Sequence, residues 1–142
     1  MDNEEFNEFI EEYIRQLDFE TERLESLAAT LNALGYLIIY YGAQIDIYDI
    51  ITNNEVDITS AEVTVFGQLI IVIGYVLLWV VSIRRVYARE LRNQYLNENN
   101  FIQSYKKLES AYLLSVFANL LRLEAFYEIF LNRENIIEET EK

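Results

Sequence analysis

Apolar positions keep a seven-residue rhythm over the first third of the chain. They fall at Phe6, Ile10, Tyr13, Leu17, Leu24, Leu27, Leu31, Leu34, Ile38, Tyr41, Ile45 and Tyr48, in steps that alternate four and three with Glu20 as the break. That spacing predicts a helix over about residues 3–50 with a coiled-coil-like seam. Its two halves differ. Glu4, Glu5, Glu8, Glu11, Glu12, Asp18, Glu20 and Glu22 make the first half acidic, whereas Leu27 to Ile45 carry no charge. The turn-forming stretch TNNEVDIT follows at 52–59. Thr59 to Glu62 fits a capping box that opens a second helix over about 60–96.

The rhythm is lost in Val63 to Ile83, which is uncharged and carries only Thr64, Gln68 and Ser82 as polar punctuation. About 20 such residues suffice for a helix to cross a bilayer core. Arg84, Arg85, Arg89 and Arg92 follow it. There Val86, Tyr87, Leu91 and Tyr95 give a narrower apolar face. A polar turn, Asn97 to Asn100, leads into a third helix over about 101–137, with Asn100 and Gln103 as a capping pair. The fold class expected is all-α. Three long antiparallel helices, up-down-up, form a single domain over residues 1–142, because short loops force neighbouring helices to run antiparallel.

Folding the chain at its two turns places Thr64–Ile83 beside about Ala29–Tyr48 and about Ser115–Glu134. The least charged parts of the helices then form one slab, and the charged parts form another. A soluble bundle segregates polarity around each helix, not along it. The four glycines, Gly35, Gly42, Gly67 and Gly74, form two pairs spaced by seven. A mid-helix glycine costs about 1 kcal/mol against alanine, so four of them suggest close helix packing, as between membrane helices. The alignment sets Gly42 near Ile70 and Gly74 near Ile38.

Composition narrows the chemistry. The chain has no Pro, Cys or His. Serine–histidine and cysteine–histidine catalysis and zinc sites therefore have no residues to use, and no enzyme activity, cofactor or metal is expected. Lys and Arg number 11 against 24 Asp and Glu, a net charge of −13. That balance argues against nucleic acid, whose phosphates require a basic surface. No small-molecule substrate is indicated. The acidic beginning, MDNEEFNEF, does not read as a signal peptide.

Three function classes remain open. The first is a small integral membrane protein with a structural or interaction role, a lipid bilayer and further copies of itself as partners, and a cytoplasmic helical extension. The clustering of Arg and Lys around the second turn places that turn and the N-terminus in the cytoplasm. The second is a soluble homo-oligomer that buries residues 63–83 between subunits. The third is an acidic-lined cation or proton pore. Arg122, Glu124 and Glu128 interrupt the apolar part of the third helix, and Asp46 ends that of the first. They are the candidate intramembrane or interface polar site, because charges in a membrane are paired or functional. Gln44, Gln68 and the stretch Glu128–Asn132 fall at one level and suggest a polar layer. The N-terminal glutamates read as a solvated face.

Overall fold

The computed structural model describes residues 3–53, 58–98 and 101–140. Three helices account for nearly all of these: α1 (Asn3–Thr52), α2 (Thr59–Tyr95) and α3 (Ile102–Thr140). With no proline to remove a backbone donor, α1 continues for 50 residues, about 75 Å at 1.5 Å per residue. The helices before both turns end on an asparagine with left-handed φ, 51° at Asn53 and 52° at Asn97, a conformation that asparagine tolerates better than most residues. After α2 the Leu96 and Glu98 N–H groups both donate to the Arg92 carbonyl, at 3.0 and 3.5 Å.

One local expectation is corrected at the start of α2. Ile58, with helical angles and no side-chain cap bond, holds the N-cap position. Its carbonyl accepts the Glu62 N–H at 3.0 Å. Thr59 is thus a helical residue and not the cap. Of the Asn100–Gln103 pair, Asn100 lies outside the described residues.

The architecture is the expected all-α, up-down-up arrangement, with α2 in the middle. Its neighbours take different faces of it. Gly67 approaches α1, whereas the next residue, Gln68, bonds Asn119 of α3. One residue is about 100° around a helix. Ala88 and Arg89 repeat the division: Ala88 packs with Ile10 and Ile14, and Arg89 lies 5.4 Å from the Tyr105 ring centroid. α1 and α3 therefore flank α2 about a quarter turn apart. Among the described residues no Cα atoms of α1 and α3 come within 8 Å. The cross-section is an L, not a closed triangle.

The α1–α2 seam differs from the predicted stripe by one residue in every turn pair. Ile10, Leu17, Leu24, Leu31, Ile38 and Ile45 are buried or half-buried as expected. Tyr13, Leu27, Leu34, Tyr41 and Tyr48 are exposed. The fully inward line is Ile14, Thr21, Ala28, Gly35 and Gly42, again spaced by seven. It faces a matching line on α2: Ala88, Val81, Gly74, Gly67 and Ser60. The small residues bring the two backbones together, and Tyr13, Leu27, Leu34, Tyr41 and Tyr48 are turned outward.

The register shifts accordingly. Gly35 faces Gly67, Gly42 lies against Ser60 and Thr64, and Gly74 lies against Ala28 and Asn32. The pairings of Gly42 with Ile70 and of Gly74 with Ile38 do not occur. Glycine meets small residues here because the two helices have slid along each other: α1 runs on to Thr52, past the level of Ser60, before the chain returns to begin α2.

Candidate functional site

The least ordinary feature of the molecule is apolar surface left uncovered at the level of Val63–Ile83. In the most apolar 18-residue window of α2 only 44% of the residues are buried, and in that of α1 only 17%. Phe66, Leu69, Ile73 and Val76 project from α2, and Leu34, Leu37 and Tyr41 from α1. Leu37 keeps 63% of its surface. Two helices, α1 and α2, are long and apolar enough to cross a membrane. No such window occurs in α3 among the described residues, because Arg122, Glu124 and Glu128 break its apolar run.

Within this slab the hairpin is held by close backbone approach. A Cβ added at Gly67 would lie 2.8 Å from the Gly35 carbonyl oxygen, and one at Gly35 would lie 2.7 Å from the Gly67 oxygen. Added at Gly42 it would meet mainly the Thr64 hydroxyl, at 2.7 Å, and at Gly74 the Asn32 amide.

Charges lie where the slab stops. Beyond Ile83, Arg85 joins Glu22 at 2.8 Å and also Glu25, and Arg84 stands 3.8 Å from Glu20. Further out Arg92 reaches Asp18 at 3.2 Å and Glu98 at 3.3 Å, and Lys106 of α3 reaches Glu90 at 3.2 Å. The Arg85 guanidinium hydrogen bond, with its charge, holds the Glu22 carboxyl below its ordinary value. An apolar knot of Ile10, Ile14 and Ala88, with Phe6 edge-on to Tyr95 at 5.7 Å, completes this end. The acidic residues on the outside of α1 stay exposed, and Glu12 bonds Arg15 at 2.6 Å.

The polar groups singled out in the sequence are distributed over three places. Asp46, at the opposite end of the slab, accepts the Ser60 hydroxyl at 2.6 Å and the Arg133 guanidinium at 3.1 Å; Arg133 also donates to Ser60 at 2.6 Å. This bridge ties α1, α2 and α3 together.

Arg122 lies at mid-slab on the flank of α3 that looks toward α1. It reaches the Asn119 side-chain oxygen at 3.5 Å, and it neighbours Tyr75 of α2, which also interacts with Tyr36 of α1. Glu124 is on the other flank, beside an apolar groove lined by Val65, Leu69, Leu120, Leu123 and Tyr127. Glu128 is exposed, one turn on. Arg122, Glu124 and Glu128 form no salt bridge among the described residues.

The polar layer is also placed differently. Gln68 is fully buried and donates to the Asn119 carbonyl at 3.0 Å and to its side-chain oxygen at 3.1 Å, and Gln44 is exposed. Asn119, Ser60 and Arg133 were not among the residues singled out. Their signal was available only through register: Asn119 recurs on the α3 seam with Val116, Leu123 and Phe126, and Ser60 extends the seven-residue line of Gly67 and Gly74. Among the described residues no group of three or more Asp or Glu is placed to hold a metal ion. No known family model, no curated protein and no solved structure matches the chain.

Proposed function

We propose that this chain is a small helical membrane protein with a structural, self-associating role. The α1–α2 hairpin lies in the bilayer, and the N-terminal half of α1 with the second turn forms a helical extension in the cytoplasm. The observation that carries the reading is the uncovered apolar slab, bounded at Arg84 by the ion-paired half of the same two helices. An aqueous monomer would have to leave this surface in water, where each Å² of apolar area costs about 25 cal/mol. Lipid removes that cost. The basic residues about the second turn set the orientation.

Accessibility of single cysteines tests the topology, and the absence of native cysteine makes the labelling clean. Ile51 and Phe101 are exposed at the two turns. In sealed right-side-out vesicles, Ile51→Cys should react with an impermeant maleimide and Phe101→Cys should react only after permeabilisation. Equal labelling of both would contradict the reading.

One observation favours a second reading, a soluble oligomer that buries Val63–Ile83 between subunits. Three exposed charges on α3 are awkward in lipid, where each costs about 2.5–3.5 kcal/mol at mid-bilayer. A conducting, acid-lined variant has less support, since Asp46 is engaged by Ser60 and Arg133 and stands apart from Glu124 and Glu128.

A further inference from the structure

The L-shaped cross-section has the geometry of a four-helix arrangement with one corner vacant. The vacant corner lies between α1 and α3. On the α3 side its flank runs through Ala111, Ser115, Ala118, Arg122, Ala125 and Ile129, in alternating steps of four and three. That spacing forms one stripe along a helix. Arg133, eleven residues and three turns beyond Arg122, shows which way the flank looks, because it reaches Asp46 of α1. Apart from Arg122 and Ile129 the stripe is small, so a further helix can come close.

Arg122 and Glu124 stand on opposite flanks of α3, about 160° apart by helical spacing. They differ in height by two residues, about 3 Å. Neither has a salt-bridge partner among the described residues. We propose that the α3 helix of a second copy of this chain fills the vacant corner, pairing its Glu124 with Arg122. This rests on the membrane reading, in which an arginine and a glutamate without salt-bridge partners inside the slab are costly.

Charge placement decides the symmetry. Copies in one membrane share an orientation, so rotation about the membrane normal keeps equal residues at equal height. A two-fold contact through the outer face of α3 would set Glu128 against Glu128. A head-to-tail contact instead sets the Arg122 flank of one copy against the Glu124 flank of the next. Such heterologous contacts close as rings. The partner that fits is therefore another copy of the chain, in a ring of three or more.

Charge reversal tests the pairing on the full-length chain, extracted in mild detergent and weighed by light scattering after gel filtration. The wild type should run as a closed oligomer larger than a dimer. Arg122→Glu or Glu124→Arg should each weaken association by about tenfold or more, the range expected when a buried charge loses its partner. An equimolar mixture of the two single variants should restore assembly as rings with an even number of subunits, because alternating copies then set every Glu at 122 against an Arg at 124, whereas an odd ring would keep one like-charge contact. The double reversal R122E/E124R should restore it as well, and circular dichroism should report equal helicity throughout. A wild-type monomer or dimer, single variants that associate normally, or a mixture and double variant that stay dissociated with native helicity would each overturn the proposal. Recovery of the wild type in the soluble fraction would instead overturn the membrane reading. The double reversal R122E/E124R, tested in aqueous buffer against the two single variants, would then decide the pairing by itself.

Discussion

Gly67 shows at the scale of one residue how the hairpin is specified. A methyl there would stand 2.8 Å from a backbone oxygen of Gly35, which cannot rotate away. At Gly42 the nearest atom is the Thr64 hydroxyl, which can, and the nearest backbone oxygen, that of Ser60, is further off at 3.0 Å and needs to give by only a few tenths of an ångström. Both substitutions gain up to about 1 kcal/mol of helix propensity, whereas overpacking costs about 1–3 kcal/mol. Gly67→Ala should therefore destabilise the hairpin, and Gly42→Ala should be close to neutral, as read from unfolding midpoints by circular dichroism. Equal effects would deny that Gly35 and Gly67 mark the tightest approach. Gln68 makes a separate case. Its amide nitrogen gives two hydrogen bonds to Asn119 inside the α2–α3 contact, while its oxygen is buried and has no partner among the described residues. Gln68→Ala loses those bonds and leaves a void, costing about 2–4 kcal/mol. Gln68→Met keeps the volume, removes the orphaned oxygen and should cost about half as much.

At the scale of the elements, length and order of the helices were legible because nothing interrupts them and because asparagine marks both turns. The side each helix buries was only half legible. The predicted stripe on α1 assumed that large apolar residues seek the seam, as they do in water. Ile10, Leu17, Leu24, Leu31, Ile38 and Ile45 obey this, but Leu27, Leu34, Tyr41 and Tyr48 face outward. The signal that settles the seam is the run of mostly small residues every seventh position, Thr21 to Gly42 on α1 and Ser60 to Gly74 on α2. The ion-paired half of the hairpin carries its own prediction. Glu22 titrates lower in the folded protein than in the unfolded chain because Arg85 bonds its charged form. Its contribution is therefore present above the unfolded carboxylate value, about 4.3, and is lost as pH falls through the lower folded value. Amide protection, taken relative to the intrinsic exchange rate at each pH, should fall near Glu22 and Arg85 below about pH 4, ahead of any fall at Gly35 and Gly67. Because Glu22 is 63% exposed, salt should mute the effect. Exchange that is uniform along the hairpin would contradict this.

At the scale of the whole molecule, three helices leave their middle member less than half covered over its apolar run, and the charged groups of α1 and α2 gather beyond it. That division along the axis was readable from the sequence. The polar site was less so. Asp46, Arg122, Glu124 and Glu128 lay within one alignment, but Asp46 belongs with Ser60 and Arg133 at one end, and Arg122 and Glu124 point to opposite sides of α3. Sequence spacing gives height along a helix well, but partner and flank depend on a register set elsewhere, by the glycine pair. The central claim is that the uncovered apolar slab belongs in a bilayer. It is tested most directly by expressing the untagged full-length chain, sedimenting membranes and washing them with alkaline carbonate. The protein should stay in the pellet and leave it only with detergent. Release into the carbonate wash, or recovery as a defined oligomer in the soluble fraction, would contradict it.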